Sequence, residues 1–250
     1  MGFNLTFITQ QDFENNVADT LKTYDESLKA INLQQFNSNV IDPIKLVFDK
    51  HVYNKTYSEI IKAELQRQRD KTNTNSIGYF HQNMFKYIKN CSVPQQGWDV
   101  IVQASSHSIY VEMKNKHNTM NSSSSQKTYS RMLRKLVENP NDYCYLVEVL
   151  APKSRNIPWK CCIDGESTEY DHIRRVSIDK FYAEVTGIND AFYQMCMQLP
   201  ETIEKLIKEG IVCSLEEDTV IDELSYYDLD MTKALYLLAF ETYEGFNQLK

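Results

Sequence analysis

Over roughly the first ninety residues the apolar positions recur at helical spacing. Thr9 or Asp12 can cap an amphipathic segment that runs to about Ile31. DPIKLVFDKHVY opens with Asp42 where an N-cap belongs and Pro43 at the first helical position, a coherent start signal. TYSEIIKAELQRQR opens with a capping box, Thr56 and then Glu59 three residues on, and its Ile60, Ile61 and Leu65 fall on one side. The polar run KTNTNS reads as a link. After it, IGYFHQNMFKYIKN places Phe80, Met84, Phe85 and Ile88 at helical spacing.

The period then changes. WDVIV (Trp98–Val102) and IYVEM (Ile109–Met113) are short and β-branched, and YCYLVEVLA (Tyr143–Ala151) reads as a buried strand. Between the last two lies QKTYSRMLRKLVEN, a helix ending before Asn139-Pro140. The order α–β–β–α–β predicts an α/β fold with a central mixed β-sheet flanked by helices: one hairpin, then a crossover through a helix. From VSIDKFYAEVTGINDAFYQM onward the pattern is mostly helical and closes on MTKALYLLAFETYEGF. No internal repeat interrupts it. The economical reading is one domain over 1–250, mainly helical over 1–90, with its core at 91–185 and a helical C-terminal part at 186–250.

Side chains alternate faces along a strand. Ile109, Val111 and Met113 therefore share one face, and Tyr110, Glu112 and Lys114 the other; on the strand before, Asp99 points opposite to Trp98, Val100 and Val102. With Ser105 and Ser106 at the centre of the turn, Asp99 falls directly across from Glu112. Carboxylates facing each other on neighbouring strands lie about 5 Å apart at Cβ and repel. Lys114 is one compensating cation. A divalent metal is a better one, because one or two carboxylates with water and phosphate are how Mg²⁺ is usually held. Such an ion polarises a phosphodiester and activates water, and Lys114 beside it could orient or deprotonate that water or stabilise the developing charge.

Composition narrows the partners. The net charge of −7 argues at first against nucleic acid, but from Ser214 onward nine acids face two bases, a net of −7, so the first 213 residues are neutral overall. Polyanion binding needs only a local basic patch. Between Lys114 and Lys135 stand Lys114, Lys116, Lys127, Arg131, Arg134 and Lys135, with His117 and no acid. Asn118, Asn121 and the serines Ser122, Ser123, Ser124 and Ser125 add amide and hydroxyl donors suited to phosphate. The six cysteines, at 91, 144, 161, 162, 196 and 213, have no zinc-knuckle or redox spacing and read as reduced thiols of a cytoplasmic protein. No apolar run is long enough for a membrane helix, and MGFNLT, which matches the myristoylation pattern at Gly2, lacks a second membrane signal nearby.

An Asp, about a dozen residues, then Glu-x-Lys at the end of a hairpin strand is similar to the PD-(D/E)XK nuclease pattern, with Trp98 where a Pro is usual. The longer run VEMKNKHNTMNSSSSQ resembles the type II restriction endonucleases that cut GGNCC or GGWCC sites, and SIDKFYAEVTGINDAFYQM looks like their C-terminal half. The resemblance covers most of the chain, strongest from Ile77 to Pro200. It implies a PD-(D/E)XK core and a Mg²⁺-dependent, homodimeric bacterial enzyme that cuts both strands of a short palindrome in double-stranded DNA, alongside a matching methyltransferase. Asp99 and Glu112 match the metal carboxylates and Lys114 the catalytic lysine. Glu64 is the candidate for an extra acidic residue on the upstream helix, with Gln82 behind it. Lys116, Asn118, Asn121, Ser122, Ser123, Lys127 and Arg131 are the expected DNA contacts near the strand. For base reading, APKSRNIPWK offers Lys153, Arg155 and Asn156, with Arg174-Arg175 as second choice. Two rival readings remain: a repair or recombination nuclease without strict sequence preference, and a DNA-binding protein without activity.

Overall fold

In a computed structural model, which describes residues 2–163, 165–211 and 216–241, the predicted caps are formed. Helix α1 (Gln10–Leu28) starts where the Thr9 hydroxyl accepts from the Asp12 amide at 3.1 Å. A short α2 (Leu33–Ser38) carries its own capping box between Asn32 and Gln35. Helix α3 (Pro43–Val52) begins with Asp42 accepting from the Lys45 amide at 3.1 Å. At the head of α4 (Tyr57–Met84), the Thr56 amide donates to Glu59 at 2.8 Å and the Glu59 amide to the Thr56 hydroxyl at 3.3 Å.

The expected link at KTNTNS is absent, because α4 runs through it without a break. No Pro interrupts the backbone there, and helix propensity is a weak prior once neighbouring turns are in place.

Next come β1 (Cys91–Ser92), β2 (Val100–Gln103) and β3 (Ser108–Lys116), then α5 (Ser122–Glu138) and β4 (Tyr143–Leu150). Short strands β5 (Asn156–Pro158), β6 (Cys161–Ile163) and β7 (Glu166–Thr168) lead to β8 (Ile173–Ser177). Helices α6 (Ile178–Thr186), α7 (Ala191–Lys208), α8 (Val220–Tyr227) and α9 (Met231–Phe240) follow. The four serines, which precede the helix expected from Gln126, form the first turn of α5. The last helix was expected to reach Phe246; residues 242–250, like Cys213, lie outside the described ones.

The chain divides into two compact units. One comprises Met1–Thr20 with Ile77–Glu209, the other Leu21–Ser76 with Gly210–Lys250. Where the sequence pointed to helical parts at either end of one domain, the structure groups 21–76 with the chain after Gly210. The core of that helical unit is Leu33, Phe36, Leu46, Ile61 and Leu65 against Val220, Leu224 and Leu235.

The other unit holds a six-stranded sheet in the order β1-β2-β3-β4-β8-β5. β1, β2 and β3 pair antiparallel, β3–β4 and β4–β8 parallel, and β8–β5 antiparallel. This is the expected mixed sheet, with the hairpin and the crossover through α5 in place. On one face Tyr129, Met132 and Leu136 of α5 cover Cys144, Leu146 and Ile173. On the other, Phe181 of α6 meets Tyr145 at 6.4 Å between ring centroids and Phe85 at 4.8 Å. β8 was not expected. Its consecutive arginines hide a strand that lies between two others.

Candidate active site

The β2–β3 hairpin has the expected register. Val100 pairs with Val111, Ile101 with Tyr110 and Gln103 with Ser108, so the same register carries Asp99 across from Glu112. Asp99 sits at a bend just before β2. Its amide donates to the Val111 carbonyl at 2.9 Å, its Oδ2 accepts from the Met113 amide at 2.7 Å, and Gln82 Nε2 donates to its carbonyl at 3.1 Å. That bend breaks the alternation expected for WDVIV. Trp98 does not join Val100 but turns toward α5, where its ring lies 5.5 Å from Tyr110 and the Arg131 guanidinium stacks 4.2 Å above it.

Glu112 is 15% exposed and has cations at both oxygens: Lys114 Nζ lies 2.7 Å from Oε1, and Arg131 Nη2 pairs with Oε2. Burial pushes the Asp99 carboxyl above the usual aspartate range. The Met113 amide works against that rise and the Glu112 charge adds to it. A half-buried carboxyl pushed up in this way beside a second carboxylate is an arrangement a cation relieves. Among the described residues no three His, Cys, Asp or Glu side chains form a ready cluster. The donors present are two hard carboxylates, the number Mg²⁺ takes from a protein when water and phosphate supply the rest.

The remaining expected residues are dispersed. Glu64 belongs to the helical unit, where it is buried, pairs with Arg67 and lies 3.5 Å from Gln68 Nε2. Arg131, expected on DNA, is engaged by Glu112 and by the Gly97 carbonyl. Asn121 is the N-cap of α5, accepting from the Ser124 amide at 2.8 Å. Ser122 and Ser123 are exposed in that first turn, and Lys116, Asn118, Lys127 and Lys153 are exposed as well. Asn118 holds the left-handed conformation, φ +56°, that lets the chain turn sharply after β3.

One feature of the site was missed by reading the sequence. Glu148 on β4 pairs in register with Lys114 on β3 and is 2% exposed. Its Oε2 accepts from Arg155 Nη2 at 2.6 Å, and its Oε1 pairs with Arg175 Nη2 and lies 2.8 Å from His117 Nδ1. Burial works to raise the Glu148 carboxyl, but Arg175, Arg155 and His117 outweigh it and hold it below the usual range. The available signal was a lone Glu in an otherwise apolar strand, YLVEVL.

A family model described as Eco47II restriction endonuclease matches residues 5–208 of the chain. The type II restriction enzyme Sau96I of Staphylococcus aureus is 31% identical over 212 residues, covering 82% of this chain and 81% of the relative. The type II restriction enzyme Eco47II of Escherichia coli is 30% identical over 217 residues, covering 83% of this chain and 90% of the relative.

Proposed function

The chain belongs to the Eco47II restriction endonuclease family and is a type II restriction enzyme, a site-specific deoxyribonuclease; from that premise we propose that Asp99, Glu112 and Lys114 form a PD-(D/E)XK active site for Mg²⁺-dependent hydrolysis of DNA phosphodiesters. The observation that carries the reading is the hairpin register. It carries Asp99, just before β2, across from Glu112 of β3, with Lys114 Nζ 2.7 Å from Glu112 near the end of a strand that leads into a basic, hydroxyl-rich segment.

Asp99 and Glu112 would hold Mg²⁺, which when bound polarises the phosphodiester and makes a water more acidic. Lys114 keeps its ammonium at the carboxylate, where it orients the attacking water and stabilises charge building on the phosphate oxygens. Arg131 neutralises the second oxygen of Glu112 and is itself held over the Trp98 ring. Lys116, Asn118, Ser122, Ser123, Lys127 and Lys153 offer exposed donors to the DNA backbone. Glu64 keeps a supporting role for Arg67. The recognised site is a short GGNCC-like palindrome, read in the cytoplasm by a homodimer whose two-fold axis matches that of the DNA.

Digestion of plasmid DNA with Mg²⁺ tests the reading. Discrete bands mapping to GGNCC-like sites are expected; a smear would favour a nuclease without strict preference, and retardation without cutting a silent DNA-binding protein. Lys114→Ala is expected to abolish cleavage while leaving gel retardation of a cognate duplex largely intact. Wild-type turnover by this variant would refute the assignment.

A further inference from the structure

A buried carboxylate needs one cation to balance it, yet Glu148 has two guanidinium groups and an imidazole. Arg155 and Arg175 together carry one positive charge more than Glu148 removes. Among the described residues neither Nε has a hydrogen-bond partner, although both are buried. Unsatisfied buried donors and surplus charge in one place are costly in a purely structural cluster.

The location is specific. Lys114 lies one strand away in direct register with Glu148, and a small pocket there is lined by Lys114, Lys116, Asn118, Ser125, Glu148 and Arg175. The arginines arrive from separate elements. Arg175 is on β8, paired with Leu146 of β4, and Arg155 ends the loop before β5. That loop is pinned to the end of β8: the Arg155 amide donates to Ser177 Oγ at 2.9 Å, and the Ser177 amide donates to the Arg155 carbonyl at 2.9 Å. His117 Nδ1, 2.9 Å from Arg175 Nη2 and 3.2 Å from Arg155 Nη2, closes the ring.

We propose that Glu148 is a positioning residue that clamps Arg155 and Arg175 side by side, next to Lys114, as a paired-guanidinium site for a DNA backbone phosphate neighbouring the one being cleaved. This rests on the reading of Lys114 as the residue at the reacting phosphate. A phosphate accepts from two guanidinium groups at once, and its charge neutralises the surplus that Glu148 leaves. The assignment gives Arg155 a backbone phosphate in place of a base edge, and selects Arg175 over Arg174, whose Nε donates to Asn156 Oδ1 at 2.5 Å.

The test compares wild type with Glu148→Gln on a duplex containing the cleavage site and on one lacking it. Retardation without Mg²⁺ over a range of salt gives affinity, and initial rates with Mg²⁺ give kcat and KM. The expected result is a loss of affinity of about tenfold on both duplexes, with a salt slope shallower by about one phosphate contact, and a cleavage defect carried more by KM than by kcat. Wild-type affinity and salt slope, with only a lower Tm, would overturn the proposal. So would a loss confined to the cognate duplex, the signature of base reading. Should Glu148→Gln fail to fold, Arg155→Lys and Arg175→Lys keep the charge on Glu148 but lose the fork: a several-fold loss on both duplexes supports the clamp, and wild-type affinity refutes it. Failure of wild type to cut at all would instead strike the active-site reading itself.

Discussion

Glu112 is held between Lys114 at 2.7 Å and the guanidinium of Arg131, which lies over the Trp98 ring. In a half-buried site these cations lower the cost of the carboxylate, and a divalent ion would have to compete with them for the same oxygens. Lys114 faces only one oxygen, so Arg131 is the competitor at the other. Arg131→Ala is therefore expected to lower the Mg²⁺ concentration that gives half-maximal cleavage, measured by titration at fixed DNA. A higher requirement would mean that Arg131 holds Glu112 in its working orientation. The register that carries Asp99 across from Glu112 was legible because a short turn fixes how the two strands pair. The placement of Arg131 was not: its partners come from elsewhere in the chain, Trp98 from the segment before β2 and Glu112 from β3.

Helix α5 carries the chain from β3 to β4, and its start is set by one side chain, Asn121, which accepts from the Ser124 amide. Replacing an N-cap Asn by Ala costs about 1 kcal/mol. In a protein of this size that corresponds to a Tm lower by about 2–4 °C. Asn121→Ala should show that shift in a thermal melt while still cutting at low temperature. An unchanged Tm with weakened DNA retardation would return Asn121 to the DNA surface. The elements themselves were largely readable, since Asp42-Pro43, Thr56–Glu59 and the alternation in β3 each state a local preference that packing upholds. Other features were not. The serines read as loop because they are polar, although an Asn before them makes a good cap. β8 was hidden by Arg174-Arg175, whose guanidinium groups find partners in Asn156, by hydrogen bond, and Glu148, by ion pair. The Glu148 cluster joins positions 117, 148, 155 and 175, which only the parallel crossovers bring together.

At the scale of the whole molecule, charge is distributed by unit. The acid-rich stretch after Ser214 belongs to the helical unit, and one of its acids anchors that unit's interior. Asp218, 20% exposed, receives Arg69, 8% exposed, through Nη1 at 2.9 Å and Nη2 at 2.6 Å, and the Ile31 amide at 2.9 Å. Arg69 also donates to the Ser27 carbonyl at 2.7 Å, so the pair ties the end of α1 and the following turn to α4. Burial works to raise the Asp218 carboxyl, but Arg69 and the Ile31 amide outweigh it and hold it below the usual aspartate range. A depressed folded-state pKa contributes stability that is fully present above the unfolded value, near 3.9, and is lost as pH falls through the folded one. Wild-type Tm should therefore decline as pH drops below about 4, in part through this group. Asp218→Asn removes the charge but keeps one acceptor oxygen. It should cost about 2–3 kcal/mol at neutral pH, the low side for breaking a buried pair, and should lose less on further acidification. Melting curves from neutral to acid pH check this. The two profiles should converge as the pH falls; if they run parallel throughout, the Arg69–Asp218 pair is not what ties this unit's stability to pH.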